Sequence, residues 1–283
     1  MDGLSEWFTR HKLPVGDWVE HGVDLLNDHA AGLFDLIADN LEILIEGLID
    51  ILQWFPPVAL AVLLALFGGA LHRSWKLGLI MLLALLFILN QGYWEETTET
   101  LALVIVATFI CMLLGVPLGV ATAHRSWLYT VVRPVLDLMQ TIPTFAYLIP
   151  TLILFGLGVV PGLISTIIFA IPAPIRLTHL GIVSVPRNLI EAGDAFGATR
   201  QPLLWKVEIP HALPNIMAGL TQCIMLSLSM VVIAALVGAD GLGEPVVRAL
   251  NTVNIAQGFE AGLAIVLVAI LLDRVCRRPG AGD

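Results

Sequence analysis

Long apolar runs separated by short polar segments dominate the hydropathy pattern of the chain. The low-charge stretches lie at 56–72, 75–93, 101–123, 138–175, 213–239 and 257–275. A helix crosses about 30 Å of hydrocarbon with about 20 apolar residues, so the fourth stretch is nearly twice as long as one span needs. We therefore expect two spans there, reversing at the glycine- and proline-rich segment 156–162. The pattern predicts an all-α, polytopic helical membrane protein with about seven transmembrane helices.

Composition supports a membrane protein and excludes several functional classes. Of the 283 residues, 58% are hydrophobic and 13% are charged, whereas about a quarter of the residues in soluble domains carry charge. The net charge of -9 argues against a nucleic-acid partner. The three cysteines show no metal-ligand spacing, and GxxxxGK[ST], GxSxG and HExxH segments are absent. The sequence therefore predicts no catalytic residue and no metal site, and it does not favour an enzyme.

The distribution of basic residues predicts the orientation of the spans. With seven spans, alternate loops and the C-terminal segment from Arg274 onward hold eleven of the 14 Lys and Arg residues. Basic residues accumulate on the cytoplasmic side of membrane proteins. We therefore expect the N-terminus outside and the C-terminus in the cytoplasm.

The segment before the first span is predicted to be an outer tail, polar and loosely organised over residues 1–30. From Ala31 to Gln53 the pattern becomes amphipathic. The acidic face comprises Asp35, Asp39, Glu42, Glu46 and Asp50, and the apolar face Leu33, Ile37, Leu41, Leu44, Leu48 and Leu52. We expect a helix along the outer surface that leads into the first span at Pro56–Pro57. It serves either as a scaffold or as a docking face for an extracytoplasmic partner.

Charged residues beside the apolar runs bear on the transport mechanism. Asp137 follows Pro134 by three residues, which predicts a place in the first turn of the fourth span, and Arg176 is assigned to the loop after the fifth. Ion-coupled carriers usually place ionisable groups at mid-membrane. Because such groups are few and peripheral here, a secondary transporter is the weaker alternative.

The loop between the fifth and sixth spans, 187–210, carries a short amphipathic pattern. Its apolar face comprises Leu189, Ala192, Gly193 and Phe196, at positions i, i+3, i+4 and i+7. Gly197 predicts a turn, and Pro202 predicts a second short helix ending near Pro210. A helix pair with a small-residue face fits a groove in another protein. From these residues alone, a docking element and an ordinary linker both stay open.

The same loop resembles a known family signature. Glu191-Ala192-Gly193, then Gly197, then Val207-x-Ile209-Pro210 resembles the EAA-x3-G-x9-I-x-L-P motif of ATP-binding-cassette importer permeases. Gly193 departs from the motif, which has Ala at this position. Four segments, 133–151, 191–200, 229–251 and 258–274, are similar to the glycine betaine/proline betaine/choline branch. The resemblance covers about residues 97–276.

This resemblance implies a type I ABC importer (MetI-like) permease core in the bacterial inner membrane. It implies a homodimer that forms an alternating-access path for quaternary ammonium osmoprotectants, with two cytoplasmic ATPase subunits and an extracytoplasmic solute-binding protein. ATP and Mg²⁺ would bind the ATPase, so no cofactor is expected in this chain. Carnitine, trimethylamine N-oxide or an amino acid derivative stays open as an alternative cargo.

The resulting domain prediction has four parts. They are the tail 1–55, two additional spans over 56–96, the permease core 97–276 with its EAA coupling loop 187–210, and the tail 277–283. The expected ATPase-coupling residues are Glu191, Ala192, Gly193, Phe196, Gly197, Arg200 and Pro210. The expected residues lining the substrate path are Thr141, Phe145, Tyr147, Gln222 and Met225. A flexible glycine turn is expected either to contact the binding protein or to be an ordinary reversal loop, and its residues are Gly238, Asp240, Gly241 and Gly243.

Overall fold

The computed structural model describes residues 14–276. The regular secondary structure of these residues is entirely helical, and they contain no strand. Thirteen α-helices lie within this part of the chain. They are α1 (Val15–Gln53), α2 (Pro57–Leu71), α3 (Trp75–Asn90), α4 (Trp94–His124), α5 (Ser126–Thr141), α6 (Phe145–Phe155), α7 (Val159–Ala170), α8 (Pro172–Val183), α9 (Arg187–Ala195), α10 (Arg200–Leu203), α11 (Ile209–Ala234), α12 (Gly243–Thr252) and α13 (Ile255–Cys276). The predicted tail 277–283 and the first 13 residues of the predicted N-terminal tail lie outside the described residues.

The number of apolar helices is consistent with the prediction of about seven transmembrane helices. Within the described residues, four helical runs are long and apolar enough to span a membrane: Trp94–His124, Val159–Val183, Arg200–Val237 and Ile255–Cys276. Two bent pairs pass the same test jointly, α1 with α2 at 99° and α5 with α6 at 97°. The shorter α3 is apolar as well. The reversal predicted within 156–162 is confirmed, because Gly156 and Gly158 adopt positive φ between α6 and α7.

The centre of the molecule is a bundle of α4, α7–α8 and α11. Helix α8 packs against both α4 and α11, α13 flanks α11, and the α2–α3 hairpin attaches through α4 and α13. Small residues permit this close packing. A Cβ on Gly119 would lie 2.8 Å from the Ile175 carbonyl oxygen, and a Cβ on Gly181 would lie 2.9 Å from the Cβ of Ala212. Close backbone approach of this kind is typical of helix association in membranes.

Helix α1 begins at Val15, so the prediction of a loosely organised segment up to residue 30 is wrong for residues 15–30. The acidic stripe is exposed as expected. The predicted apolar face is confirmed in part, because Leu41, Leu48 and Leu52 pack in a cluster with Ile45 and with residues of α4 and α7. Leu33 and Leu44 of that face are exposed, whereas Ile45, which was not assigned to it, is 1% exposed. Periodicity therefore identified the side that packs but not its exact members.

Two charged residues lie inside helices where the sequence placed them elsewhere. Arg176 lies within the continuous run Val159–Val183, not in a loop. Asp137 lies near the end of α5, with Pro134 also inside that helix, so the predicted first-turn position is wrong. The reason is that α5 starts at Ser126, well before the apolar run begins. A charge ended the apolar run at Arg176 but did not end the helix.

A helix starts near Pro202 as predicted, with α10 at Arg200, but it does not end near Pro210. Instead, α10 passes through a π-helical turn, Leu204–Glu208, directly into α11. Pro210 lies just after this turn, where it removes one backbone N–H donor from the continuous helix. The helical run therefore extends without a loop from Arg200 to Val237.

Candidate functional site

Helix α9 projects from the bundle with its apolar side chains uncovered. Phe196, just after its last turn, is 93% exposed. Leu189, Glu191 and Ala192 are also exposed, and none of the nine helical residues is buried. A salt bridge joins Arg187 Nε to Glu191 Oε1 at 3.2 Å along the helix. An amphipathic helix with its apolar face uncovered is typical of a segment that docks into a groove of a partner.

The turn after α9 is fixed by backbone hydrogen bonds. Gly197 has φ +75°, its N–H donates to the Asp194 carbonyl at 2.9 Å, and the Ala198 N–H donates to the Gly193 carbonyl at 3.1 Å. This is a Schellman-type helix end, which favours glycine at the left-handed position. The turn predicted at Gly197 is confirmed. It directs the chain back so that Leu203 contacts Gly193, where a Cβ would lie 2.6 Å from Leu203 Cδ1.

The elbow, defined as residues 187–203, joins the bundle through a buried carboxylate. Glu208, in the π-helical turn, is 6% exposed. Its Oε2 lies 2.8 Å from Nε2 of His124, the last residue of α4. π-helical turns are frequent at functional positions. Neither Glu208 nor His124 was predicted from the sequence to have a role.

The predicted coupling residues therefore lie on one projecting element and the start of α11. Arg200 and Pro210 are exposed like Glu191, Ala192 and Phe196, and Gly193 is half-buried. Their role in contacting an ATPase stays a prediction.

The predicted path residues lie in two groups on the single chain, and their role in lining a path stays a prediction. Thr141 and Phe145 are exposed at the α5–α6 bend, whereas Gln222 and Met225 are exposed on α11. Helix α7 packs against both α6 and α11 and so lies between the two groups. Tyr147 closes the bend, because its hydroxyl donates to the Met139 carbonyl and to the Ile142 carbonyl at 3.0 Å. That contact gives Tyr147 a structural role in the bend.

The structure brings together polar residues that the sequence placed apart. Arg176 Nη2 donates to Asp137 Oδ1 at 2.7 Å, which joins α8 to α5. Three residues after Arg176, His179 stacks on Tyr129 of α5, with ring centroids 3.7 Å apart and planes 10° from parallel. A signal was present in the sequence. Polar residues recur every three or four positions along α5, at Ser126, Thr130, Arg133, Asp137, Gln140 and Thr141.

The glycine turn at 238–243 is packed rather than flexible. A Cβ on Gly243 would lie 2.3 Å from the Val231 carbonyl oxygen, and a Cβ on Gly241 would lie 2.7 Å from Thr100 Oγ1. Thr100 Oγ1 also accepts a hydrogen bond from the Leu242 N–H at 2.8 Å. Gly241 and Gly243 are buried, and only Gly238 and Asp240 of the four predicted contact residues are exposed.

The turns of the chain gather at two ends of the bundle as the alternating loops predict. The Gly158 N–H donates to the Val237 carbonyl at 3.0 Å, so the α6–α7 reversal and the glycine turn meet. The contact of Thr100 with Leu242 adds the start of α4 to that end. His124 and Glu208 mark the opposite end, from which the elbow projects.

The chain is similar to known membrane-transport proteins. The model of the binding-protein-dependent transport system inner membrane component family matches residues 115–275. The glycine betaine transport system permease protein OpuAB of Bacillus subtilis is 42% identical over 264 residues, covering 93% of each chain. The glycine betaine/carnitine transport permease protein GbuB of Listeria monocytogenes is 42% identical over 270 residues, 93% of this chain and 94% of its own. ProW of Escherichia coli, a glycine betaine/proline betaine permease, is 39% identical over 273 residues, 96% of this chain and 77% of its own.

Solved structures support the same fold. A chain of an inward-facing MetNI methionine ABC transporter superposes with a TM-score of 0.56 at 24% identity, covering 63% of this chain and 93% of its own. The predicted MetI-like core is confirmed at the level of the fold.

Proposed function

Because the chain belongs to the family of binding-protein-dependent transport system inner membrane components, we propose that it is the transmembrane permease subunit of an ATP-driven importer. Its cargo is glycine betaine or a closely related quaternary ammonium compound. The names of three relatives that each match more than nine-tenths of this chain support that cargo. The chain is a multi-pass inner-membrane protein.

The observation that carries the proposal is the uncovered elbow. Phe196 is 93% exposed, and none of the residues of α9 is buried by the described chain. Leaving a Phe side chain in water forgoes about 1.5–3 kcal/mol of burial. A partner that covers Phe196 recovers this energy, and a cytoplasmic ATPase subunit that grips residues 187–203 is that partner. Glu191, Gly197 and Arg200 then set the register of the contact.

An external motor fits the energetics of accumulation. Concentrating a neutral solute ten-thousandfold costs about 5.5 kcal/mol. This chain has no nucleotide-binding segment of the P-loop type. ATP and Mg²⁺ therefore belong to the partner subunit, and this chain converts rigid-body movement of its elbow into opening and closing of the path.

We place the elbow in the cytoplasm and the glycine turn at 238–243 outside, with the N-terminus outside and the C-terminus inside. The predominance of basic residues at the elbow end supports this orientation. Two copies of the chain enclose the path, and a solute-binding protein docks at the outer end. Exposed Gly238 and Asp240 are available for that contact.

Reconstitution tests the proposal. Proteoliposomes containing the permease and its ATPase should accumulate labelled glycine betaine only with ATP on the elbow side and binding protein on the other. Collapse of ion gradients by ionophores should leave uptake unchanged. Uptake by the permease alone, driven by an ion gradient, would establish the secondary-transporter alternative instead.

The cargo is tested by competition in the same proteoliposomes. Unlabelled glycine betaine, proline betaine, carnitine, choline and trimethylamine N-oxide are compared as competitors of uptake. We expect glycine betaine and proline betaine to compete best. Strong competition by carnitine or trimethylamine N-oxide alone would reassign the cargo within the same importer class.

A further inference from the structure

Helix α5 carries a polar stripe on one side and an apolar stripe on the other. At 100° per residue, the six polar residues of the stripe fall within an arc of about 100°; they are Ser126, Thr130, Arg133, Asp137, Gln140 and Thr141. Five of these are exposed, and Gln140 is half-buried. The opposite side presents Trp127, Val131 and Val135, all exposed. Helix α5 therefore has two open faces of opposite character.

The polar stripe contains an ion pair with a partner inside a span. Arg176 lies in the run Val159–Val183, seven residues from its end, which is about 10 Å at 1.5 Å per residue. Its Nη2 lies 2.7 Å from Asp137 Oδ1, and the two side chains are 34% and 53% exposed. The pair thus lies about 10 Å along the helix from the end of an apolar run and is still open to its surroundings.

An open ion pair at this depth is incompatible with contact with lipid tails. Charged groups within spans face the bundle interior or a water-filled cavity because hydrocarbon cannot solvate them. The stripe of Trp127, Val131 and Val135 suits lipid or a dry protein contact, whereas the Asp137 face requires water or polar ligands. The two faces of α5 therefore separate an apolar environment from an aqueous one.

We propose that Asp137 and Arg176 form a binding site in the substrate path. A small zwitterion bound there replaces Asp137 as the ion-pair partner of Arg176 and Arg176 as the ion-pair partner of Asp137. The carboxylate of the substrate pairs with the Arg176 guanidinium, and its quaternary ammonium group lies against the Asp137 carboxylate. This inference rests on the proposed importer function and assigns the ligand class to two residues outside the predicted path set.

The chemistry of the pair suits passage rather than tight binding. A closed pair presents no net charge, so neither a cation nor an anion is held by an unbalanced field. The carboxylate of a zwitterion offers Arg176 the same charge-assisted hydrogen bond as Asp137 does. Exchange of one carboxylate for another therefore leaves the number of charge-assisted bonds nearly constant. A cation that lacks a carboxylate cannot complete this exchange.

Thiol labelling tests whether the pair faces water, using the full complex in a Cys276→Ser background. The two remaining cysteines, Cys111 and Cys223, are buried. The probe is trimethylammonium-ethyl methanethiosulfonate, which does not cross lipid and carries the head group of the proposed cargo. Asp137→Cys should react at least about tenfold faster than the matched control Val135→Cys, which lies one half-turn away on the apolar side. Equal rates, or no labelling of Asp137→Cys with or without ATP, would overturn the proposal.

Transport tests the charge of Arg176. With saturating loaded binding protein, Arg176→Gln should lower glycine betaine uptake by about tenfold, the loss expected for one charge-assisted hydrogen bond of about 1.5 kcal/mol. ATP hydrolysis should stay within about twofold of the parent, so the ratio of solute to ATP falls. Arg176→Lys, which keeps the charge, should restore part of that ratio.

Two other outcomes separate a failure of this proposal from a failure of the importer function. If Arg176→Gln lowers uptake, ATP hydrolysis and melting temperature together, the pair only holds α5 to α8 and the proposal is wrong. If the parent complex shows no ATP-driven uptake of glycine betaine, the proposed importer function fails instead. Labelling does not depend on uptake, so the two failures are told apart.

Discussion

The elbow at 187–203 and the glycine turn at 238–243 have similar small-residue sequences and opposite structures. In the elbow the apolar residue Phe196 is exposed, and a Cβ on Gly197 would meet nothing within 4 Å. In the glycine turn, Gly241 and Gly243 are buried, and the backbone of α11 and the side chain of Thr100 leave no room for a Cβ. At the elbow Gly197 supplies only a backbone conformation, whereas at the turn Gly241 supplies both a positive φ and space, and Gly243 supplies space.

The elbow is thus a surface available to a partner, whereas the glycine turn is a buried contact within the chain. No residue of α9 in the elbow is buried, so substitutions of its exposed side chains should change assembly and leave the permease itself intact. The glycine turn is part of the core, so most substitutions there should change folding before they change docking. Four experiments test that contrast.

Gly243→Ala should have the largest effect. Its Cβ would lie 2.3 Å from the Val231 carbonyl oxygen, and overpacking against backbone costs about 1–3 kcal/mol or more. We expect the melting temperature in detergent to fall by about 5–10 °C. The control is Gly262→Ala in α13, where a Cβ meets nothing within 4 Å. An unchanged melting temperature for Gly243→Ala would show that the turn is not part of the core.

Phe196→Ala should leave the melting temperature of the permease alone unchanged and weaken ATPase capture. Aromatic anchors at interfaces contribute about 2 kcal/mol or more, so the affinity should fall about thirtyfold. Affinity is measured by pull-down across a range of ATPase concentrations. Leu250→Ala, an exposed apolar residue on α12 near the glycine turn, is the control and should capture ATPase normally. A lower melting temperature for Phe196→Ala would contradict the assignment of this residue to docking.

Asp240→Asn should weaken binding of the solute-binding protein about three- to fivefold at low salt, with the difference vanishing at high salt. Exposed charges at the edge of an interface contribute modestly and are screened by ions. Surface plasmon resonance on nanodiscs measures the affinity. Asp194→Asn, an exposed acid at the elbow, should leave that affinity unchanged. Equal effects of both substitutions would remove the distinction between the two ends.

Gly193→Ala should have the smallest effect, although it restores the alanine of the family motif. The new Cβ would lie 2.6 Å from Leu203 Cδ1, the end of a flexible side chain that can rotate away. Alanine gains about 1 kcal/mol of helix propensity over glycine, which offsets that adjustment. ATPase capture should stay within about twofold of the parent. A loss as large as that of Phe196→Ala would show that the close approach of α9 to Leu203 is required.

The sequence predicted the features that depend on local pattern. The apolar runs located the spans, Gly156 and Gly158 located a reversal, and Gly197 located the turn of the elbow. These features follow from hydrocarbon thickness and backbone conformation, which neighbouring residues determine. The start of α1 at Val15 was missed because that part of the helix is polar and has no apolar run.

Features that depend on distant contacts were not predictable from pattern. Arg176 ended an apolar run and was therefore assigned to a loop. Its place inside a helix depends on its partner Asp137, which lies 39 residues away on another helix and which no local pattern reveals. The glycine turn was expected to be flexible because Thr100, which fixes it, is 142 residues from Leu242. Periodicity identifies a helix, but the neighbour on each face is set by the packing of the whole bundle.

The unbroken run from Arg200 to Val237 has a mechanical consequence. At about 1.5 Å per residue, 38 residues form a rod of about 57 Å that starts inside the elbow and ends at the glycine turn. A tilt of about 10° at one end displaces the other by about 10 Å, given a rod of that length. A tilt of this run would therefore move the proposed ATPase contact at one tip and the proposed binding-protein contact at the other together, through the backbone of one continuous helix.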